Sequence, residues 1–278
     1  MPSALITSRA NPRVKQLRAA FAGNPRLADG LVAIEGENLI REAIRSGITL
    51  RAIFLSEHTA PPSWLSNDVE TLYLADAVFA SAVDTQSPQG IAALIEPPQW
   101  QLESVLGTNA TVHTAPLLLV AAGLQDPGNL GTLIRSAEAF AATAVLTTSG
   151  TVSPWNQKAL RASAGSVFRV PVISITTNDL TSLKSRGIQL FAAVAPEADS
   201  NPTSLPDLTQ PTALMIGNEG NGLSPELLAL ADARISIPTP GPVESLNAAV
   251  AGSLLLYEAS RQREAAYLRP ASRLTTKN

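Results

Sequence analysis

The 278-residue sequence contains no cysteine and only two histidines, His58 and His113. Without cysteine the chain cannot form a disulfide, a thiolate nucleophile or a Cys-ligated zinc site. Two histidines also argue against a His-rich metal site and a Ser-His-Asp triad, so we expect no metal in this protein. Its apolar runs are too short to span a bilayer, and residues 1–10 lack a signal peptide's apolar core. We therefore expect a cytoplasmic protein without a membrane partner.

Charged residues are also scarce, at 15% of the chain against 45% hydrophobic residues, which favours a folded protein with a core. The net charge of −3 and the isoelectric point of about 5.5 argue mildly against a nucleic-acid binder. The basic residues are concentrated at the two ends, however. Residues 1–30 contain five basic residues and one acidic residue, and residues 258–277 contain five and two. Such ends could follow a phosphate backbone or be ordinary solvated surface, and charge alone leaves both interpretations open.

In the first 95 residues, short apolar runs of strand length alternate with stretches whose apolar residues recur at helical spacing. The predicted helices cover 9–22, 36–44 and 76–82, and the predicted strands cover 31–34, 48–55, 72–74 and 91–95. Pro97, Pro98 and the polar stretch up to Ala115 resemble a linker. Because the length favours two domains, we predict a small α/β domain over 1–97, a linker over 98–115 and a second domain over 116–278.

The second half begins with Leu117–Ala122, a continuous apolar run typical of a strand buried on both faces. Further strands alternate with helices, which predicts a parallel, doubly wound sheet. The remaining predicted strands are 145–147, 170–175, 189–194, 213–216 and 235–237, and the predicted helices are 129–142, 158–165 and 245–265.

The helix predicted after the first of these strands carries two polar residues of interest. Asn129 is the predicted N-cap, and Arg135 falls on the face opposite the apolar stripe. Taken alone, Arg135 is better explained as an exposed arginine paired with Glu138 three residues on.

A glycine-rich segment, Gly217–Gly222, follows the strand predicted at 213–216 and precedes a helix that Ser224 and Pro225 would begin. Glycines at a strand end let the backbone approach a ligand closely. The order G-x-x-G-x-G is not the dinucleotide fingerprint, and no Gly-Lys-Ser/Thr follows as in a phosphate loop. Taken alone, the segment is better explained by a structural turn.

A proline-rich segment, Pro238–Asn247, connects the last predicted strand to the last helix. Its prolines predict a rigid loop, and Ser245 is the predicted N-cap of the helix. Small residues over 248–253 would let another backbone pack closely. Taken alone, the segment is explained by a loop before a packed helix.

Together, in this order and each next to a predicted strand, the three segments resemble the signature motifs of the SpoU (TrmH-like) branch of the SPOUT methyltransferases. The resemblance covers about residues 115–265. Residues 1–95 resemble, less specifically, the small α/β substrate-binding domain that many members carry. The matching residues are Asn129, Gly131 and Arg135; then Gly217–Gly220, Gly222, Leu223 and Ser224; then Ile237, Pro238, Ser245, Leu246 and Asn247.

The resemblance implies an α/β protein whose C-terminal parallel sheet has the trefoil-knotted SPOUT fold, preceded by a small α/β substrate-binding domain. It also implies S-adenosylmethionine as cofactor, RNA as substrate and a homodimer that completes the sites. The residues implied around the acceptor ribose are Asn129, Arg135, Glu219, Ser245 and Asn247. The implied cofactor-binding residues are Gly217, Asn218, Glu219, Ile237, Pro238 and Leu246, and those assigned to RNA binding are Arg9, Arg13, Lys15 and Arg18.

The implied reaction is methylation of a ribose 2′-hydroxyl, which needs in-line positioning and a group that takes the hydroxyl proton. The family assigns that proton to the arginine at the position of Arg135. Because a guanidinium is effectively always protonated, two interpretations stay open. Either Arg135 is deprotonated in its pocket, or it clamps a neighbouring phosphate while another group takes the proton. Thr239 stands where the family most often has methionine, which leaves the shape of the cofactor loop open.

Three alternatives remain. The RNA could be transfer RNA, although the N-terminal domain favours ribosomal RNA. The chain could be a non-catalytic RNA-binding member, although that predicts damaged motifs and the five ribose-site residues are all present. An ordinary Rossmann enzyme would need a G-x-G-x-x-G loop after the first strand, which residues 123–131 do not supply.

Overall fold

The computed structural model describes residues 5–23, 26–66, 68–107, 115–196 and 205–268. The chain forms two compact units. One contains Met1–Gln99 with Ser153–Arg169, and the other contains Trp100–Val152 with Val170–Asn278. The structure therefore groups a segment from the middle of the second predicted domain with the N-terminal residues. Of the basic C-terminal residues, Arg269, Arg273 and Lys277 lie outside the described residues.

The N-terminal unit is built on a four-stranded sheet in the order β1-β4-β2-β3. Strand β4 is antiparallel to both β1 and β2, whereas β2 and β3 are parallel. All the strands and helices predicted over 9–95 are present, with ends that shift by up to three residues. The elements are α1 (Pro12–Phe21), β1 (Val32–Glu35), α2 (Glu37–Arg45), β2 (Leu50–Ser56), β3 (Thr71–Leu74), α3 (Asp76–Ala82) and β4 (Ile91–Ile95).

Helix α1 begins at Pro12 because the side chain of Asn11 accepts a hydrogen bond from the amide of Arg13. Its apolar residues Val14 and Leu17 are fully buried in a cluster that also contains Phe54 of β2. Burial of such side chains contributes about 1.5–3 kcal/mol each, which fixes α1 on the sheet.

The second unit is a six-stranded, wholly parallel sheet in the order β10-β8-β9-β5-β6-β7. This confirms the predicted parallel sheet. Two helices were not predicted: α4, which lies within the predicted linker, and α7. The elements are α4 (Leu102–Leu106), β5 (Leu117–Ala121), α5 (Pro127–Ala139), β6 (Ala144–Thr147), β7 (Val172–Ser174), α7 (Thr177–Ser185), β8 (Gln189–Ala193), β9 (Thr212–Ile216), α8 (Pro225–Leu230), β10 (Ala233–Ile235) and α9 (Ala248–Leu268).

The central strands β5 and β9 are buried along their whole length, as their continuous apolar sequences require. On one face of the sheet, α4 adds Leu102, Val105 and Leu106 to the core. Helix α9 packs on α5, where a side chain at Gly252 would come within 2.4 Å of Leu133 Cδ2. Among the described residues, no helix is both long and apolar enough to cross a membrane.

The segment Ser153–Arg169 carries α6 (Gln157–Ser163) and belongs to the N-terminal unit. The buried Gln157 side chain donates to the carbonyl of Ala33 in β1 at 2.8 Å. Arg169 forms an ion pair of 3.0 Å with Glu42 of α2. These contacts explain why the segment groups with the N-terminal residues.

Candidate active site

A cavity of about 550 Å³ opens at the carboxyl ends of three neighbouring parallel strands, β8, β9 and β10. Ligands of open α/β sheets bind at this edge, and the volume lies in the range of small-molecule sites. The walls come from the segments that follow the three strands. They include Val194–Pro196 after β8, Gly217–Leu223 after β9, and Ile237, Thr239 and Ser245–Ala248 after β10, with Ala251 and Leu255 from α9.

The glycine-rich wall folds back on itself after β9. A Cβ atom at Gly217 would lie 2.2 Å from the carbonyl carbon of Gly222, so a side chain at this position cannot be accommodated. Asn218 and Gly222 exchange backbone hydrogen bonds, and Asn218 Oδ1 accepts from the amides of Gly220 and Asn221. The backbone can therefore face the cavity directly, as predicted for this segment.

The proline-rich wall differs in part from the prediction. Ile237, Ser245 and Leu246 line the cavity, and Thr239 does so as well, whereas Pro238 is not among the lining residues. Ser245 is not the helix cap. Asn247 precedes α9 directly, and its Oδ1 accepts from the amides of Ala249 and Val250.

The start of α5 also differs from the prediction. The helix begins at Pro127 and its cap is Asp126, whose carboxylate accepts from the amide of Asn129. The prediction that Asn129 caps the helix is therefore wrong. As a residue within the first turn, Asn129 has its side chain available for partners outside α5.

Asn129 connects the three predicted motifs. Its Nδ2 donates to Glu219 Oε1 at 2.9 Å, and its Oδ1 accepts from Asn247 Nδ2 at 3.0 Å. In this orientation of the Asn129 side-chain amide, its NH₂ group faces an acceptor and its oxygen faces a donor. A continuous hydrogen-bond chain thus joins the glycine-rich segment, α5 and Asn247, the residue directly before α9.

Both carboxylate oxygens of Glu219 are engaged. Oε2 accepts from the amide of Gln125 and Oε1 accepts from the amide of Asp126, each at 3.2 Å. Burial tends to raise the pKa of Glu219, but the hydrogen bonds from Asn129 and from the backbone amides outweigh it and leave the pKa below its ordinary value. The carboxylate is therefore held in its charged form.

Arg135 lies on α5 two turns after its start, and its side chain is exposed. Among the described residues the guanidinium has no hydrogen-bond or ion-pair partner, so the alternative pairing with Glu138 does not form. Arg135 and Asn129 are not among the cavity-lining residues. An exposed guanidinium on the helix that carries Asn129, without a partner among the described residues, is suited to a large anionic ligand.

The four residues assigned to RNA binding on and before α1 have different surroundings. Arg13 forms an ion pair with Glu70, and Arg18 donates to the carbonyl of Ser81 at 3.1 Å. Arg9 is exposed, with one long contact of 3.5 Å to the carbonyl of Ala77. Lys15 is exposed and has no partner among the residues that the structure describes. Two of the four cations thus have structural partners within the unit.

At the other end of the chain, the described basic residues also have structural partners. Arg263 donates to the carbonyls of Leu208 and Gln210, and its burial lowers the pKa of the guanidinium. Arg261 pairs with Glu258 in the preceding turn. For these residues the interpretation as ordinary structure and surface is the better one.

The N-terminal unit contains one group of potential metal ligands within the described ranges: Glu57, His58 and Asp76, all exposed. His58 Nδ1 lies 2.8 Å from Asp76 Oδ2. This hydrogen bond, with the charges of Asp76 and Glu57, raises the pKa of His58. The histidine count alone did not exclude such a group, and the absence of a metal stays a prediction.

Sequence reasoning missed the wall formed by Val194–Pro196. These residues follow β8, and they reach the cavity because β8 lies between β10 and β9 in the sheet. Only the rule that ligands bind at the carboxyl edge, applied with the correct strand order, could have found them.

Comparisons with known proteins agree with this geometry. Residues 116–257 match the SpoU rRNA Methylase family, and residues 11–93 match the MRM3-like substrate binding domain. A 23S rRNA (guanosine(2553)-2′-O)-methyltransferase, RlmP of Bacillus subtilis, is 33% identical over 91% of this chain and 97% of its own length. The mitochondrial rRNA methyltransferase 3 of Xenopus tropicalis is 31% identical over 84% of this chain and 71% of its own.

Solved structures agree as well. The SpoU methyltransferase AviRb from Streptomyces viridochromogenes, in complex with its cofactor AdoMet, superposes with a TM-score of 0.77 at 27% identity, covering 91% of this chain and 98% of that one. An RNA 2′-O ribose methyltransferase superposes with a TM-score of 0.76 at 33% identity, covering 94% and 100%. Fold and site thus define an RNA methyltransferase that uses S-adenosylmethionine. The chain belongs to the SpoU rRNA methylase family.

Proposed function

We propose that this protein methylates one ribose 2′-hydroxyl in ribosomal RNA. The observation that carries the proposal is the hydrogen-bond chain from Glu219 through Asn129 to Asn247, which connects the three motif segments beside the cavity. The curated relatives described above are named for ribosomal RNA, which favours it over transfer RNA. A cytoplasmic location, suited to such a substrate, is part of the proposal.

The cavity fits S-adenosylmethionine in size and chemistry. Backbone groups of Gly217–Leu223 and the apolar side chains of Ile237 and Leu246 form its walls, which suits an adenosine that is bound by amides and apolar contacts. When bound, this cofactor supplies a methyl group on a positively charged sulfur. Within the lining, the Glu219 carboxylate is the negative group whose charge its hydrogen bonds maintain.

The residues beside the cavity would hold the RNA. Arg135 is exposed, and a planar guanidinium can bind a phosphate in bidentate geometry, so we propose that it clamps a phosphate next to the acceptor ribose. Asn129, Asn247 and Ser245 would fix the position of the ribose. Positioning of this kind can account for much of the acceleration of a transfer reaction.

Two further features complete the proposal. Strand β10 is the outermost strand of the sheet, whereas α9 packs on α5 and on the central strand β9. The segment between β10 and α9 therefore passes over the carboxyl ends of the strands. We propose that this crossing threads the trefoil knot. We also propose a homodimer through α9, where Val250, Leu254 and Tyr257 are 43–51% exposed on one face.

An Arg135→Ala variant tests the catalytic part. We expect methyl transfer to RNA to fall by at least about 100-fold, while calorimetry shows S-adenosylmethionine binding within twofold of the wild type, because the side chain does not line the cavity. Arg135→Lys keeps the charge but loses the bidentate geometry, so we expect partial activity. Arg186→Ala, on an exposed arginine of the same unit, is the control. Normal turnover of Arg135→Ala would disprove the assignment.

A map of 2′-O-methylation from cells with and without the gene identifies the substrate. Loss of one site in ribosomal RNA is the expected result. A lost site in transfer RNA would select that alternative. No lost site, together with no transfer by the purified protein, would support a non-catalytic RNA-binding member.

A further inference from the structure

The loop that connects β5 to α5, Ala122–Asp126, has a backbone that is hydrogen-bonded at almost every residue. Ala122 donates to the carbonyl of Ile216 at 2.8 Å, and the carbonyl of Leu124 accepts from the amide of Val152 at 2.8 Å. The amides of Gln125 and Asp126 donate to Glu219. A loop with its polar groups satisfied in this way has little freedom to move.

Gly123 is held from both sides by side chains. Its amide donates to Thr151 Oγ1 at 3.0 Å, and its carbonyl accepts from Asn218 Nδ2 at 2.8 Å. The φ of Gly123 is +67°, a left-handed conformation that glycine adopts about as readily as negative φ values, so the backbone preference alone does not hold the turn. The side chains of Thr151 and Asn218 therefore restrain the turn at Gly123.

Thr151 lies outside the three motif segments and comes from the loop after β6. Its hydroxyl accepts from the amide of Gly123 and also donates to the carbonyl of Ala121 at 3.0 Å, at the end of β5. One hydroxyl thus bridges the last residue of the strand and the turn that follows. Both hydrogen-bonding capacities of the side chain are used on the same short stretch of backbone.

We propose that Thr151 is a positioning residue for methyl transfer, which acts through the Ala122–Asp126 loop. The loop ends at Asp126, the cap of α5, and α5 carries Asn129 and Arg135. A shift of the loop therefore moves the side chains assigned to the ribose and its phosphate. This inference rests on the proposed function.

Thr151→Val removes the hydroxyl at nearly constant volume, and Thr151→Ser retains it. We expect kcat of Thr151→Val to fall by about tenfold or more, because small misplacements of reacting groups are costly, and Thr151→Ser to keep wild-type kcat. Binding of S-adenosylmethionine should stay within twofold, since Thr151 does not line the cavity. Thr148→Val is the matched control, because its hydroxyl makes only a 3.4 Å contact with its neighbour Ser149.

A kcat of Thr151→Val within threefold of the wild type would overturn the proposal, as would a Thr151→Ser variant as impaired as Thr151→Val. If Thr151→Val does not fold, hydrogen exchange of Thr151→Ala replaces it. Faster exchange confined to the amides of 122–126 is expected, and acceleration spread over the whole sheet would indicate a merely structural role. The exchange measurement does not depend on turnover. An inactive wild type would contradict the proposed function, and the exchange of the 122–126 amides would still show whether Thr151 holds the loop.

Discussion

Both carboxylate oxygens of Glu219 accept hydrogen bonds from the backbone just before α5, and one also accepts from Asn129. A carboxylate used in this way has little capacity left to take a proton from a substrate hydroxyl. Its lowered pKa makes it a still weaker base. We therefore assign Glu219 the role of an anchor, which holds α5 against the glycine-rich segment.

The anchor predicts a pH dependence. A carboxyl group whose pKa is lowered in the folded state stabilises the fold fully at pH values above its unfolded-state pKa. This contribution is lost as the pH falls through the folded-state pKa. Glu219→Gln places an amide NH₂ beside two backbone amides, so we expect a lower free energy of unfolding than the wild type at pH 7. The difference in free energy of unfolding between the variant and the wild type should shrink as the pH falls below the ordinary pKa range of glutamate. Urea unfolding at a series of pH values measures this difference.

Glu264→Gln serves as the control, because Glu264 is exposed on α9 away from these amides. The free energy of unfolding of Glu264→Gln should stay close to that of the wild type at every pH. If the Glu219→Gln difference were the same at pH 7 and at pH 3, the charge of Glu219 would not be what stabilises the site.

At the scale of elements, α1 shows how a basic sequence divides into structural and available charge. Arg13 forms an ion pair with Glu70, and Arg18 donates to the carbonyl of Ser81 near the end of α3. Arg9 makes one long contact with the carbonyl of Ala77, whereas Lys15 is exposed and has no partner among the described residues. A phosphate would have to displace existing partners at Arg13 and Arg18 but not at Lys15. The part of α1 available to RNA is therefore smaller than its charge suggests.

Lys15→Ala should weaken RNA binding. It should also reduce the slope of log Kd against the logarithm of the salt concentration by about 0.7–0.9, as expected for the loss of one phosphate contact. Its free energy of unfolding should stay within about 0.5 kcal/mol of the wild type. Titrations of RNA at several salt concentrations measure the slope. Arg51→Ala is the control, because Arg51 is paired with Glu96 in the same unit. Equal slopes for Lys15→Ala and the wild type would remove Lys15 from the interface.

The sequence predicted those elements whose signal is local. The strand Leu117–Ala121 is apolar throughout, and α3 has apolar residues at helical spacing, so both were found almost to the residue. Helix α4 was missed because Pro97 and Pro98 suggested a linker, and its five residues show too little periodicity. The cap of α5 was misassigned because Asp126 and Asn129 can both cap. Pro127, which favours the first helical position, would have decided for Asp126.

The sequence predicted the site residues that lie in motifs. It did not predict those that reach the site only through the order of strands in the sheet. Gly217 and Leu246 belong to segments that could be read as motifs. Val194–Pro196 and Thr151 carry no motif, and they reach the site only because β8 and β6 lie beside β9 and β5. Adjacency in a parallel sheet is set by long-range pairing, which one sequence does not reveal.

At the scale of the whole molecule, α9 has two different faces. One face is buried on α5 and β9, where Gly252 allows close packing and Leu255 and Leu256 are covered. A second stripe contains Val250, Leu254 and Tyr257, which are partly exposed at spacings of four and three residues. Tyr257, at its edge, also packs edge-to-face on Phe140 at the end of α5. Such a stripe is costly in water and suits an interface between two copies of the chain.

Leu254→Arg tests this interface, because a charge buried at a dimer contact without a partner destabilises it strongly. We expect the wild type to sediment as a dimer and Leu254→Arg as a monomer at the same concentration. Ala266→Arg introduces the same charge at an exposed position on the opposite side of α9 and should leave the dimer intact. A monomeric wild type would disprove the homodimer. A dimer of Leu254→Arg with unchanged affinity would show that the two chains meet through a different surface.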